Sequence, residues 1–134
     1  MITVQTIVNA PIDKVWEFWT IPKHIQGWNN PTDEWHTLYV ENDVQDEGKF
    51  RYTIATKDES ISFDHEGIYT KVEKFHVLRY KLVDNRIGSV QFESQNNQVK
   101  IIEIFEPNTE NPVNEQRQFC QGVIDNFKKY AEAN

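Results

Sequence analysis

Four histidines, one cysteine and a handful of aromatic and amide side chains are the residues of this chain that could carry chemistry. His24, His36, His65 and His76 have none of the spacings that hold a metal, such as HExxH, and Cys120 has no CxxC partner. No Ser-His-Asp order, phosphate-cradling glycine loop or paired-carboxylate motif is present. The residues therefore predict no metal, no cofactor and no catalytic set. His65 is the histidine of interest, because it stands in phase with Phe63 on a strand-like stretch and so faces inward. It reads either as a core histidine bonded to a neighbour or as a polar contact or general base inside a cavity, with an outward ring as the third case.

Other candidates are polar groups at apolar positions. Gln116 falls on the apolar face of a terminal helix, where its amide must find strand backbone or reach a cavity mouth to orient a ligand. Tyr52 and Tyr80 point toward that helix and could present hydroxyls inside. Trp28 and Trp35 flank a polar loop, and either pack in the core or line an entrance. Cys120 has nothing basic a turn away, so it reads as a packing thiol. The acidic residues Glu41, Asp43, Asp46, Glu47, Asp58 and Glu59 read as solvated turns.

These residues need elements to position them. From Pro112 to Ala133, Val113, Gln116, Phe119, Cys120, Val123, Ile124, Phe127, Tyr130 and Ala131 share an arc roughly 140° wide at helical spacing. Such a helix is about 31 Å long. Burying its apolar face contributes roughly 10–20 kcal/mol, against a net domain stability of about 5–15 kcal/mol, so it is expected to be the central core helix. Phe119 and Val123 then face whatever the interior holds.

At the other end, ITVQTIV over residues 2–8 alternates like a strand. Asn9-Ala10-Pro11 opens a short helix with Ile12, Val15, Trp16 and Trp19 on one face, and Pro22 starts a second over PKHIQGW. The stretch 29–36 reads as a loop. From Thr37 to about Pro107 six strand-like segments follow, joined by short turns carrying Gly, Asn, Asp or Ser, which predicts an antiparallel meander. Phe50, Tyr52 and Ile54 share one face, as do Leu78, Tyr80 and Leu82. Gly67 interrupts the longest segment and signals a bulge, beyond which the facing is open.

Composition narrows the class. The chain has 134 residues, which suits a single domain over 1–134. A net charge of −7 without a basic stripe argues against nucleic acid. No segment approaches the roughly 20 apolar residues that span a bilayer, and the N-terminus has no export pattern, so no membrane insertion and a cytoplasmic location are expected. A lone cysteine excludes an internal disulfide and fits a reducing compartment.

The element order predicts an α+β helix-grip fold: a curved antiparallel sheet wrapped around a long C-terminal helix, with two short helices after the first strand. At this point the chain resembles a known family, the START-like (SRPBCC) proteins similar to the activator of heat shock protein 90 ATPase. The stretches that carry it are APIDKVWEFWTIPKHIQGW, DEWHTLYVENDVQDEGKFRYTIATKDESISFDHEGIYTKV and ENPVNEQRQFCQGVIDNFKKYAE. The resemblance is closest to a bacterial single-domain branch. It implies a hydrophobic cavity between sheet and helix, open near the two short helices. Three positions depart from the pattern: Phe119-Cys120 stand where a glycine-rich turn and a tryptophan are common, His65 where an aromatic is usual, and Glu47 in place of a second glycine.

Two classes of function follow. The first is binding of a small apolar ligand, lipid-like, aromatic or polyketide-like, by Trp28, Trp35, Tyr52, His65, Tyr80, Gln116, Phe119 and Val123. Cyclase- or hydrolase-like chemistry in the same cavity is its enzymatic variant. The second is a co-chaperone-type module acting on a heat-shock chaperone, which the family name suggests; the absence of a further N-terminal domain speaks against it.

Overall fold

The alternating segments pair side by side in chain order, except that the first strand closes onto the last. A computed structural model describes residues 1–134. The elements are β1 (Ile2–Val8), α1 (Ile12–Thr20), α2 (Pro22–Trp28), β2 (Trp35–Asn42), β3 (Lys49–Thr56), β4 (Ser62–Glu73), β5 (Val77–Leu82), β6 (Ile87–Gln95), β7 (Gln98–Phe105) and α3 (Val113–Ala133). They form one antiparallel seven-stranded sheet in the order β1-β7-β6-β5-β4-β3-β2, with β2 to β7 as the expected meander. This is the α+β helix-grip arrangement. The loop expected over 29–36 ends earlier, because Trp35 and His36 already pair with Thr56 and Ala55.

Local chemistry accounts for the connections. Pro22 sits in the first turn of α2, where its missing N–H is no loss. Asn96 and Asn97 both take positive φ, 50° and 63°, and form the two-residue turn between β6 and β7. Glu47 also has positive φ, 67°, which explains why glycine suits that position better. In β4 the register shifts between Tyr69 and Lys71, just past Gly67. A side chain on Gly67 would lie 2.3 Å from the Lys81 carbonyl oxygen, so glycine lets β5 approach ahead of the bulge.

The core is concentrated where α1 and α2 meet α3. The Phe127 ring lies 4.8 Å from both Trp19 and Trp28, and Trp16 and Trp19 stand edge-on to Phe92 at 5.3 and 5.8 Å. Ile124, Phe127 and Ala131 are the buried residues of α3. Side-chain bonds hold the helix along one sheet edge: Gln121 Nε2 donates to the Gln5 carbonyl (3.0 Å), Lys128 Nζ to that of Ile7 (2.6 Å), and the Asn9 N–H donates to Glu132 Oε2 (2.8 Å). Asn126 Nδ2 ties the helix to the Trp28 carbonyl (2.9 Å).

One expectation needs correction. The apolar arc of α3 is not buried throughout, since Val113 is 45% exposed while Phe119, Cys120 and Val123 are half-buried. Only the second half of the helix is seated, because the indoles of the short helices pack there. The same packing fills the space beside α1 and α2 with the rings of Trp16, Trp19 and Trp28. Away from those rings, Ile61 and Phe63 beside the β3–β4 turn are exposed, which leaves that end of the sheet open, and Val113 is exposed at the start of α3. No helix is long and apolar enough to cross a membrane.

Phe127→Ala is expected to lower the unfolding free energy by about 3–5 kcal/mol, since it leaves a cavity among rigid indoles. Val113→Ala should change it by less than about 0.5 kcal/mol. Urea titration of both variants checks this, and similar losses at the two positions would contradict the half-seated helix.

Candidate functional site

The inner face between the sheet and the first half of α3 is lined by rings supplied by alternation along three strands. Phe50 and Tyr52 come from β3, Phe63, His65 and Tyr69 from β4, and Tyr80 from β5. Register brings them together, for Tyr52 pairs with His65 and Tyr69 with Tyr80. The His65 ring lies 5.5 Å from Phe50 and 5.9 Å from both Tyr52 and Tyr80. Nearer the open end, Trp35 meets Phe119 edge-on at 5.4 Å and Phe63 at 5.9 Å, with Phe63 and Phe119 also 5.9 Å apart.

Three polar features are set in this wall. Tyr69 donates to Asn42 Oδ1, and Asn42 in turn donates to the Thr20 carbonyl (2.8 Å), tying the wall to α1. Glu103 on β7 accepts from the Tyr80 hydroxyl at 3.1 Å through Oε2. To reach it, the Tyr80 ring lies over Gly88 on β6, where an added Cβ would come within 2.4 Å of the ring. The His65 ring makes no hydrogen bond within the protein, although its backbone lies in the β3–β4 ladder, and its ring nitrogens are not sealed away. The account of His65 as a core histidine bonded to a neighbour therefore does not hold.

Burial sets the ionisation of this wall. It lowers His65 from 6.5 to about 4, helped by the Arg86 guanidinium, so the ring is neutral at physiological pH. Burial raises Glu103 from 4.5 to about 7, partly opposed by the Tyr80 hydrogen bond. The Tyr52 and Tyr80 hydroxyls are pushed well up by burial, and Cys120 is pushed up to about 12 by burial and then by Glu103, so all three stay protonated. A carboxyl near 7 beside a phenol can take up or release a proton at neutral pH. No group of three or more His, Cys, Asp or Glu side chains is arranged to hold a metal ion.

A family model described as activator of Hsp90 ATPase homolog 1-like protein matches residues 9–132. The chain belongs to the activator of Hsp90 ATPase homolog 1-like family. The solution structure of an AHSA1-like protein from Aeromonas hydrophila is 33% identical, with 98% of this chain and 93% of that one covered and a TM-score of 0.87. A protein from Cytophaga hutchinsonii is 37% identical over 99% of this chain and 92% of its own, with a TM-score of 0.83. A Nitrosomonas europaea protein shares the fold at 12% identity, with 98% and 94% covered and a TM-score of 0.80. No match was found among curated proteins.

Against this family fold, the predicted residues separate into three groups. Tyr52, His65 and Tyr80 form the ring-lined wall, and Trp35 and Phe119 stand together nearer the open end, with Val123 on the helix above. Trp28 lies elsewhere: it is 3% exposed in the closed core, donating Nε1–H to the Phe18 carbonyl at 2.8 Å. Gln116 bonds neither strand nor open space. Its Oε1 accepts from the Asn108 N–H (2.9 Å) and its Nε2 donates to the Asn111 carbonyl (2.7 Å), bracing the loop before α3. Glu103 was not among the predicted residues, although the alternation Val99, Ile101, Glu103, Phe105 sets it on an apolar face. A separate groove of about 470 Å³ on the outer face, lined by Lys49, Arg51, Glu66, Ile68, Lys81 and Val83, contains none of the predicted residues.

His65 and Glu103 give opposite pH dependences. Between pH 4 and 6.5 the unfolded chain binds a proton at His65 that the folded protein refuses, so stability falls as pH drops through that window. Between pH 4.5 and 7 the folded protein holds a proton on Glu103 that the unfolded chain has lost, so stability falls as pH rises. Each effect reaches up to about 3 kcal/mol, and between 4.5 and 6.5 they oppose. Glu103→Gln should therefore expose a rise in stability from pH 4 to 6.5 that the wild type lacks. A variant profile parallel to the wild type would show that Glu103 does not titrate near neutrality.

Proposed function

We propose that this protein binds a small hydrophobic molecule, lipid-like, aromatic or polyketide-like, between the inner face of the sheet and the first half of α3. The observation that carries this reading is His65. Its two ring nitrogens lie deep among protein atoms without a protein partner, yet they keep accessible surface. A polar ring set among aromatic rings with its nitrogens still accessible can bond a molecule lying against this wall. The half-buried state of Tyr52, Glu103, Phe119, Cys120 and Val123 around them supports the same reading. Members of this fold family commonly bind hydrophobic ligands.

In this reading Tyr52, His65, Tyr80, Phe119 and Val123 contact the ligand, and Trp35 with Phe63 flanks the entrance. Trp28 and Gln116 act indirectly, by fixing α2 and the loop before α3. The protein works as a single domain over residues 1–134, in a reducing compartment such as the cytoplasm, where Cys120 stays a thiol. The family's name suggests a second reading, action on a heat-shock chaperone.

Screening a lipid, flavonoid and polyketide library by NMR chemical-shift perturbation separates the two. Shifts at Tyr52, His65 and Val123 are expected with at least one compound class, with Phe119→Ala weakening the binding about tenfold by loss of ring burial. Val113→Ala should leave the affinity alone. Silence toward the whole library, together with outer-face shifts on adding a heat-shock chaperone, would replace ligand binding by the second reading.

A further inference from the structure

We propose that Glu103 anchors a positively charged nitrogen, so that the molecule held against this wall is a lipophilic amine. The inference rests on the ligand-binding reading above and names the chemical class of its ligand. Glu103 uses one oxygen, Oε2, to accept from Tyr80, while Oε1 accepts no hydrogen bond from the protein and is not sealed off. A carboxylate on an apolar wall is poorly hydrated and is stabilised by a charge partner or more hydrogen bonds; Glu103 has only the Tyr80 bond and no ion pair.

On the adjoining strands Glu103 pairs with Val4 and Val90, neither of which is charged, so the titratable groups around it come from β3, β5 and α3. Tyr80 on β5, Tyr52 on β3 and Cys120 on α3 feel the Glu103 charge, and all three remain neutral. The one cation that acts on this wall is Arg86, from the turn after β5. Its guanidinium is committed elsewhere, with Nε donating to Asp84 at 2.7 Å and Nη1 to the Glu106 carbonyl at 3.4 Å. None of the ion pairs of the structure includes Glu103. An anionic ligand would meet an unrelieved carboxylate, and a plain hydrocarbon would leave it protonated.

The surroundings favour a cation over a mere hydroxyl donor. Tyr80, which bonds the carboxyl, stands within 6 Å of Phe50 and His65, which are themselves within 6 Å of each other, and Tyr52 lies within 6 Å of His65. Ring faces attract an ammonium while giving its apolar body a surface to pack on. A carboxyl that loses its proton near neutrality then couples binding to pH.

The test uses three naphthalene probes on the full chain: 2-(1-naphthyl)ethylamine, 1-ethylnaphthalene and 1-naphthylacetate, followed by NMR shifts. At pH 8 the amine is expected to bind at least tenfold tighter than the hydrocarbon, and the acetate weakest. Amine affinity should fall about tenfold per pH unit below 7, as Glu103 takes up its proton. In Glu103→Gln the preference and the pH dependence should vanish, with ethylnaphthalene binding kept within twofold. Equal affinities in the wild type, or a preference that survives in Glu103→Gln, would overturn the amine and leave the cavity reading standing. Failure of all three probes to bind would bring down both. Should Glu103→Gln lose its native NMR spectrum, the carboxyl ¹³C titration of wild-type Glu103 decides instead. A midpoint that drops by at least one pH unit with the amine supports the anchor, and an unmoved midpoint overturns it.

Discussion

A concave seven-stranded sheet exposes more apolar surface on its inner face than one helical stripe can cover, and the rest of the structure follows from how α3 meets that excess. The helix is pinned to the β1 edge by Gln121, Lys128 and Glu132. Its second half is clamped among the indoles of α1 and α2, where Phe127 touches both Trp19 and Trp28. Close packing of that kind tolerates little adjustment. The first half cannot also settle onto β3 to β5, so Phe119, Cys120 and Val123 stay half-buried above a wall of rings. The candidate site thus adjoins the first half of the helix, while its rings Phe50, Tyr69 and Tyr80 belong to the same buried core as the second half.

The low polarity of that wall governs its electrostatics. Desolvation is the first cause of both interior shifts, and it acts in opposite senses because His65 is charged when protonated and Glu103 when deprotonated. Both groups are driven toward neutrality, one far from physiological pH and the other close to it. The Arg86–Asp84 pair sits beside this region without neutralising Glu103. The interior therefore presents one neutral acceptor ring and one carboxyl whose charge is conditional. This is a combination suited to discriminating among apolar molecules by a single polar group.

Membership of the activator of Hsp90 ATPase homolog 1-like family agrees with this architecture, and the Aeromonas hydrophila and Cytophaga hutchinsonii structures share it over nearly the whole chain. Three positions singled out in the sequence have physical settings. Glu47 occupies a left-handed turn that glycine would adopt more easily. Phe119 meets Trp35 and Phe63, and His65 stands among the rings of Phe50, Tyr52 and Tyr80.

Period and punctuation in the sequence were enough to specify the seven strands, the two short helices and the long one, because those signals are local. The facing of Tyr52, His65 and Tyr80 was legible for the same reason. Glu103 was legible as a charged residue on an apolar face, but its importance was not. That depends on Tyr80 lying over Gly88 and on Arg86 being spent on Asp84, which are contacts between distant segments. Tyr69 was hidden by the bulge after Gly67, and Gln116 by a loop whose path periodicity does not describe. Trp28 and the seating of α3 were decided only by tertiary packing. Alternation says which side of an element is apolar, whereas the competition among large rings for one core determines which part of that side is buried and which is left open.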